Sequence, residues 1–466
     1  MLQEKANAHD VCRKPLMPEA AFADESPPSF LKRPHVTVAV LATLYAFSHL
    51  DRNLPGLLLP LIQQDLKLND VEISILTGAA FALIYVLASL PLAHLADRWS
   101  RRGVIAIGTA CWGLMTALCG AASSFGIFFL ARMGVGLGEA AITPASNALI
   151  AALYPSGRRA RPLSLMMMGL VLGTAASMLV GGAALALFDA GKLAFPHGFL
   201  ADVPSWRLVM MSAGVLTVLF AILAVQIADP PPDKLSAGGD DDKPAIGTAL
   251  AEIWRERRAY APFLIAFPFH SVGLFGFSIW IPTLFVRQHG WSVSETGVKL
   301  GIATVVAGLI GVIMSSLVSD RLANRSAFSP LGVALWCLSG CTLLTWVIVL
   351  IQNPVLQLAL VGLWHITVFP VSVMGLVGLQ EIAPPKSRAL VTSLMTMVVS
   401  LLGIGAGPTV IAIFTDHVFH DRQAIGLSLG STWIAVLLVC GSIILFSRSA
   451  FVDLVHRRRE AAAVEG

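Results

Sequence analysis

Long apolar segments separated by short polar connections recur along the whole chain of 466 residues. Each segment is about 20 residues long, enough for a helix to cross the roughly 30 Å hydrocarbon core of a bilayer. None shows the alternation of apolar and polar residues that is typical of membrane strands. We count twelve segments, at residues 36–61, 70–95, 104–121, 125–150, 162–187, 206–228, 260–286, 297–318, 329–350, 355–380, 388–414 and 424–446. The pattern predicts an all-α polytopic membrane protein with twelve transmembrane helices.

The composition is that of a membrane protein, and the distribution of its basic residues predicts how the chain is oriented in the membrane. Hydrophobic residues make up 56% of the chain and charged residues 13%, about half the charged fraction of a soluble domain. Most of the 32 lysines and arginines fall on the side of the membrane that also holds both termini. Because basic loops stay in the cytoplasm, both termini are expected there, in a plasma or bacterial inner membrane. The net charge of +4 reflects this sidedness and does not indicate a nucleic-acid partner.

The two ends of the chain and its cysteines predict little chemistry. Residues 1–31 have no apolar core followed by a cleavage site, so they are predicted to be a disordered cytoplasmic tail rather than a signal peptide. Residues 448–466 are predicted to form a second cytoplasmic tail. Six cysteines are too few for a disulfide framework. Cys337 and Cys341 are better explained as small helix-packing residues than as metal ligands, so no metal site is predicted.

The chain is predicted to consist of two six-helix bundles, at 32–228 and 259–447. The linker, 229–258, begins with DPPPDKLSAGGDDDKP and then becomes amphipathic, which predicts a short helix on the membrane surface or in solvent. LADRWSRR at 95–102 is echoed by VSDRLANR at 318–325 in the matching loop of the second bundle. YPSGRRA and APPKSRA form a second such pair at nearly the same offset. Duplicated six-helix units are typical of secondary transporters, which bind substrate between the halves.

Two of these stretches also resemble a known family. LADRWSRR is similar to the loop signature of the major facilitator superfamily, although Ala93 and Ser100 replace its glycines. RMGVGLGEAA, from Arg132, resembles the fourth-helix motif of that superfamily. LDRNLPGLLLPLIQQDL in helix 1 and RMGVGLGEA together most resemble the Spinster branch, whose eukaryotic members transport lysolipids and sphingolipid phosphates. The resemblance implies a monomer surrounded by membrane lipids, working by alternating access.

Four ionisable residues lie well inside predicted spans: Asp51, Arg52, Arg132 and Glu139. A charge at mid-bilayer costs about 2.5–3.5 kcal/mol on insertion scales, so such residues are usually functional and paired. Arg132 and Glu139 share one face of helix 4 but lie about 10 Å apart along its axis, too far for a mutual ion pair. Their depths predict the pairs Asp51 with Arg132 and Arg52 with Glu139. The alternative is a structural network that only holds helices 1 and 4 together.

The same four residues suggest a coupling mechanism. Low dielectric favours a protonated carboxyl and a neighbouring arginine favours the ionised form, so Asp51 and Glu139 are candidate proton-coupling residues. Arg52 and Arg132 are candidates for binding an anionic head group. Pro55 cannot bond the carbonyl of Asp51, so helix 1 is predicted to bend or open beside the charged pair.

The resemblance places helices 1, 4, 7 and 10 around the central cavity. Helices 7 and 10 contribute aromatic residues and two histidines rather than charges. His270, Trp280 and His365 are therefore candidate substrate-binding residues, although a structural role is an alternative for each histidine. One charged wall facing one apolar wall suits an amphipathic anion, and equally a small aromatic or carboxylic acid.

The resemblance also implies a cytoplasmic gate. In the family, the aspartate of the loop signature contacts the start of helix 11 when the inner face closes. Asp97, Arg98 and Arg101 match that motif, and Asp320 and Arg321 repeat it in the second bundle. The alternative is an ordinary basic cytoplasmic loop.

These features favour a secondary active transporter. Its energy is expected to come from the proton gradient, so no cofactor is predicted. The predicted substrate is an amphipathic anion such as a lysophospholipid or a sphingolipid phosphate. A proton-coupled symporter of small organic or aromatic acids is the alternative within transporters. A non-transporting membrane sensor is the alternative outside them. The chain has neither a phosphate-binding G-x-x-x-x-G-K-[ST] loop nor an H-E-x-x-H motif, so direct ATP drive and enzymatic activity are not expected.

Overall fold

The computed structural model describes residues 33–155, 158–192, 202–230, 246–322, 326, 328–384 and 387–465. Within these ranges the chain forms helices and connections, with no strand. The predicted disordered tail at 1–31 and residues 231–245 of the predicted linker lie outside the described residues.

Among its described residues the first bundle contains eight helices, because two of its membrane segments are each divided into two helices. Asp70–Arg98 and Phe125–Leu153 are these two segments. The helices are α1 Pro34–Leu66, α2 Asp70–Thr77, α3 Ala79–Arg98, α4 Arg101–Ala121, α5 Phe125–Glu139, α6 Ile142–Leu153, α7 Ala160–Asp189 and α8 Ser205–Gln226.

The linker and the second bundle contain nine α-helices among the described residues, interrupted by three π-helical segments. The helices are α9 Ile246–Arg255, α10 Arg257–Ala261, α11 Phe267–His289, α12 Val293–Leu322, α13 Ser329–Leu350, α14 Pro354–Ile382, α15 Arg388–Val399, α16 Gly407–Ile413 and α17 Ile425–Glu465. The π-helical segments are Pro262–Ala266, Ser400–Ala406 and Phe414–Phe419.

Eleven helical stretches of the described chain are long and apolar enough to cross a membrane. They coincide with eleven of the twelve predicted segments. The twelfth is α1, which at 33 residues is about 50 Å long but carries the polar stretch that includes Asp51 and Arg52. It packs along α7 inside the first bundle. The fold is therefore all-α and polytopic, as predicted.

The two bundles meet along several helices. α7 packs against α12, α3 against the π-helical segment Ser400–Ala406, and α2 against α16. A Cβ on Gly182 would lie 2.8 Å from the carbonyl oxygen of Ser294, and one on Gly301 would lie 2.6 Å from the amide nitrogen of Leu179. The backbones of α7 and α12 are therefore in direct contact where the two bundles meet.

Hydrogen bonds between the bundles gather at one end, which we call the distal end because both tails leave from the other. Arg287 in α11 donates to both carboxylate oxygens of Asp70, at 2.7 and 2.8 Å, and to Gln63 at 3.2 Å. Asp416 accepts from the amide of Val71 at 3.0 Å, and Arg422 donates to the carbonyl of Leu68. The distal end is therefore held shut by polar contacts between the bundles.

The opposite end, which we call the basic end, carries the connection from α3 to α4, that from α6 to α7, and the start of α1. There the linker helices α9 and α10 attach to the extended α17 of the second bundle. Arg458 donates to Glu252, and Arg457 donates to both carboxylate oxygens of Glu256. Trp254 of α9 stays 73% exposed. A helix therefore occupies residues Ile246–Arg255 of the linker, and its position on the membrane surface stays a prediction.

Candidate functional site

Helix α1 brings the polar stretch to the middle of the first bundle without a break. It runs continuously from Pro34 to Leu66 with Pro55 and Pro60 inside it. Asn53 donates to the carbonyl of His49 at 2.7 Å, one turn before the proline. The helix therefore does not open at Pro55, and the bend predicted there as the alternative stays a prediction. The helix continues through this turn although the proline has no N–H to bond the carbonyl of Asp51.

The breaks occur instead in the helices that face α1. The second membrane segment is interrupted at Gly78, whose φ of −113° and ψ of −81° are not helical. A Cβ on Gly78 would lie 2.6 Å from the carbonyl oxygen of Ile404 in the second bundle. The fourth segment is interrupted at Ala140 and Ala141, directly after Glu139. Both interruptions lie beside the charged residues.

Glycines of the RMGVGLGEA motif determine where Glu139 lies. A Cβ on Gly136 would lie 2.5 Å from the carbonyl oxygen of Phe81, and one on Gly138 would lie 2.6 Å from that of Gly108. α5 therefore touches the backbones of both α3 and α4. Only glycine permits such an approach, and it holds the end of α5 in one position.

Arg52 and Glu139 form a buried ion pair, as predicted. The Nη2 and Nε atoms of Arg52 donate to Oε2 of Glu139 at 2.6 and 3.1 Å. Ser48, one turn earlier in α1, donates to the same oxygen at 2.8 Å. The Glu139 side chain is fully buried, whereas Arg52 is 12% exposed. The pair neutralises the carboxylate and leaves a small part of the Arg52 side chain accessible.

Arg132 does not pair with Asp51, so that prediction is wrong. Its Nε and Nη2 atoms donate to the carbonyls of Leu76 and Thr77, at 3.2 and 3.4 Å. These carbonyls end α2 just before the break at Gly78. Because the break leaves them without the usual helical partners, they are available to a buried guanidinium. Arg132 thus ties α5 to the interruption in the second segment.

An aromatic pair lies beside both arginines. The Cζ atom of Arg52 is 4.6 Å from the ring centre of Phe81 and 5.0 Å from that of Tyr85. The Cζ atom of Arg132 is 5.4 Å from the same Phe81 ring. Each distance is within the range of cation–π attraction. Phe81 therefore contacts both cations and helps to offset their burial.

Asp51 points away from the ion pair into the core of the first bundle. Its Oδ2 atom accepts from Trp112 Nε1 at 3.2 Å and from the Thr217 hydroxyl at 2.8 Å. Its Oδ1 atom is buried and has no hydrogen-bond partner. Both donors are uncharged, and the side chain is fully buried. Asp51 therefore joins helices α1, α4 and α8 without an arginine neighbour at bonding distance.

Two of the three candidate residues in the second bundle are packed inside it. Trp280 is fully buried and its Nε1 donates to the carbonyl of Pro408 at 2.9 Å. His270 is buried, and its ring centre lies 5.9 Å from that of Trp433 in an edge-on arrangement. Neither is brought to the charged residues of the first bundle.

His365 lies at the interface between the bundles. It lines a small cavity of about 30 Å³, space for one or two waters. Asn53 of α1 and Ser278 of α11 line the same cavity. The His365 Nδ1 atom is 2.8 Å from the carbonyl oxygen of Val361, so Nδ1 carries the hydrogen. The neutral ring then has an acceptor at Nε2.

The predicted gate residues lie at the basic end. Asp97, Arg98 and Arg321 are exposed, and Arg101 is partly buried. The side chain of Asp320 lies outside the described residues. The connection after Arg98 is instead held by Asp229, which accepts from the Ser100 hydroxyl at 2.7 Å. No ion pair of Asp97 is found among the described residues.

Several residues that shape the site were not predicted: Ser48, Phe81, Tyr85, Trp112, Thr217, and the distal pair Asp70 and Arg287. Most belong to types that are abundant in membrane helices, so their identity gives no signal. Asp70 and Arg287 were both visible as charges at segment ends, but only the fold brings them together.

Similarity to known proteins supports a transporter fold. Residues 41–408 match the family described as Major Facilitator Superfamily. The chain is 27% identical over 428 residues to an MFS-type efflux pump of Mycolicibacterium smegmatis, covering 90% of this chain and 93% of that protein. It is 22% identical over 442 residues to Protein spinster homolog 1 of Xenopus laevis, covering 88% and 78%.

A solved structure shares the fold. It is a bacterial homologue of the human lysosomal transporter Spinster, in an inward-facing and unoccupied conformation. The TM-score is 0.73 at 24% identity, and the match covers 91% of this chain and 97% of that one. The family and the fold are those of transporters, and the Spinster-like resemblance is confirmed. This chain is an integral membrane transporter that belongs to the Major Facilitator Superfamily.

Proposed function

We propose that the protein is a proton-coupled secondary transporter that moves an amphipathic anion by alternating access. The substrate class is that of lysophospholipids and sphingolipid phosphates. The observation that carries the proposal is the Arg52–Glu139 pair, in which the arginine side chain is 12% exposed and the glutamate side chain is fully buried.

The anion-binding part of the proposal rests on Arg52. A guanidinium can donate five hydrogen bonds, and the pair with Glu139 uses two of its nitrogen atoms. A phosphate or carboxylate could bind the remaining donors. Tyr85, which is partly exposed beside Arg52, would contact the apolar part of the same molecule. An anion bound there competes with Glu139 for Arg52.

That competition supplies the coupling step. If the substrate anion takes over Arg52, the buried Glu139 carboxylate loses its counter-ion and binds a proton instead. Asp51 is the second proton site in this proposal. Its two uncharged donors bond the same oxygen and leave the buried Oδ1 atom without a partner, so Oδ1 is where a proton could bind.

The arrangement of the bundles suggests which side is open. The hydrogen bonds between Asp70 and Arg287 close the distal end, while Asp97 and Arg98 are exposed at the basic end. With the basic end in the cytoplasm, as proposed from its charge, this conformation would receive substrate from the inner side. Asp97, Arg98 and Arg101 would then close the basic end in the other state, together with Asp320 and Arg321.

The experiment is a flux assay in vesicles that contain the purified protein. A lysophospholipid phosphate is added and its movement is followed, with Arg52→Gln as the test variant and Lys299→Gln as the control. Lys299 is an exposed residue paired with Glu295 at the distal end, so its loss removes the same charge outside the site. We expect Arg52→Gln to lose transport and Lys299→Gln to keep it. Equal transport by both variants would contradict the proposal.

A small organic acid is the second candidate substrate. The cavity of about 30 Å³ at the interface of the bundles is lined in part by Asn53, Ser278 and His365, whose polar groups could bond a small carboxylate once the bundles move apart enough to admit it. A small carboxylic acid tested in the same vesicles separates the two candidates. Transport of the acid with no movement of the lysophospholipid would favour this second function.

A further inference from the structure

A second cavity lies at the basic end, away from the charged site. Its volume is about 770 Å³, and it opens between the start of α1, the end of α6 and the start of α7. Val38 in its wall is thirteen residues before Asp51, about 20 Å along α1. The cavity is lined by His35, Val38, Tyr154, Arg158, Ala160, Arg161, Pro162 and Leu165. We call it the basic groove.

The charge of the basic groove is not neutralised by its walls. Arg158 and Arg161 are exposed, and in the described part of the chain neither side chain forms an ion pair. Among the described residues that line the groove there is no aspartate or glutamate. The arginine between them, Arg159, is already committed, because it donates to the carbonyls of Tyr154 and Ala151. Two guanidiniums therefore remain available to a ligand.

The backbone adds to this positive field. α7 begins at Ala160 and runs for 30 residues, and no side chain caps its first turn. The partial positive charge at a helix N-terminus attracts anions, and phosphate groups are common ligands there. The N-terminus and the two free arginines thus act on the same opening.

Apart from His35 and Tyr154, the other lining residues are apolar. Val38 is buried in the wall and Leu165 is 45% exposed. A ligand that fits has an anionic head and an apolar body. Basic pockets between membrane helices at the cytoplasmic side commonly bind the head groups of anionic lipids. The volume of about 770 Å³ falls within the usual range of ligand pockets.

We propose that the basic groove binds an anionic phospholipid, with the phosphate at Arg158 and Arg161 and the start of an acyl chain along Val38 and Leu165. The lipid is a bound component of the protein, not the transported molecule. Its binding is therefore independent of the proposed function, and a binding assay tests it without any transport measurement.

The test is lipid retention by the full chain in detergent micelles, measured by native mass spectrometry. The probes are dioleoyl phosphatidylglycerol and dioleoyl phosphatidylcholine at equal concentration. We compare the parent with R158Q/R161Q, and with R255Q/R257Q as a control that removes two charges from the linker helices at the same end. Each arginine near an anionic lipid contributes about fivefold in affinity, so R158Q/R161Q should bind phosphatidylglycerol about 25-fold more weakly.

The expected result is preferential retention of phosphatidylglycerol by the parent and by R255Q/R257Q, with that preference lost in R158Q/R161Q. Glycerol phosphate, which has the head group without acyl chains, should not displace the lipid. Equal losses in both double variants would overturn the proposal, since they would indicate a general charge effect. Displacement by glycerol phosphate would overturn it as well. A third outcome would also overturn it: the parent shows no preference for phosphatidylglycerol, and the variant D240N/D241N/D242N does. The acidic part of the linker would then be the occupant of the groove.

Discussion

Removing Arg52 or Glu139 alone should cost much more unfolding free energy than removing both residues of the pair together. Arg52→Gln leaves a fully buried carboxylate with Ser48 as its remaining donor. Glu139→Gln leaves a guanidinium that keeps its contacts with Phe81 and Tyr85. Breaking a buried ion pair on one side costs about 3–5 kcal/mol of unfolding free energy, whereas removing both charges is often close to neutral.

The two single variants should also differ in their pH dependence. In Arg52→Gln, Glu139 can lose its charge by binding a proton in the folded state. The destabilisation is therefore full at high pH and shrinks as the pH falls. In Glu139→Gln, the remaining Arg52 stays protonated at every accessible pH. Its destabilisation should be the same from about pH 5 to pH 9.

The assay is denaturant unfolding of the protein in detergent micelles, for the parent, both single variants and the double variant R52Q/E139Q. We expect the loss of unfolding free energy in the double variant to be smaller than the sum of the two single losses by at least about 1.5 kcal/mol. Additive effects within about 0.5 kcal/mol would refute the energetic pairing. A destabilisation of Arg52→Gln that is independent of pH would refute the account of Glu139 as a proton acceptor.

The remaining predictions concern the interface of the bundles. Gly78→Ala places a Cβ 2.6 Å from the Ile404 carbonyl oxygen, so it should open the distal end and lower thermal stability. Gly405→Ala, whose Cβ would lie 3.3 Å from a side-chain carbon of Ala82, should have the smaller effect in the same thermal unfolding assay. Asp70→Asn weakens both hydrogen bonds from Arg287 and should increase the labelling rate of a cysteine introduced at Ser74, measured with a water-soluble maleimide. An unchanged rate would show that the pair does not hold the distal end closed.

The periodicity and length of the apolar segments were enough to predict the architecture. A helix that crosses a bilayer must be about 20 apolar residues long, and this requirement leaves a clear signal in the sequence. The Arg52–Glu139 pair could be predicted because both residues are rare and expensive in that setting. Because charged residues are so costly inside a membrane, the sequence could identify the two individual residues of this ion pair.

The partners of Asp51 and Arg132 could not be predicted from the sequence. Depth along two helices placed them together, but depth says nothing of the direction in which a side chain points around its helix. Asp51 faces Trp112 and Thr217, while Arg132 reaches the carbonyls that the break at Gly78 releases. A glycine in a membrane helix gives no local sign of such a break, because the break depends on the contact with the second bundle.

The most direct test of the proposed mechanism is proton movement in vesicles of the purified protein after addition of a lysophospholipid phosphate. The variants are Asp51→Asn and Glu139→Gln, with Asp65→Asn as the control. Asp65 lies in the same helix as Asp51 but is paired with Arg207 at the distal end. The account predicts substrate-dependent proton movement in the parent and in Asp65→Asn, and its loss in each of the other two. Proton movement in both site variants at the rate of the parent would contradict it.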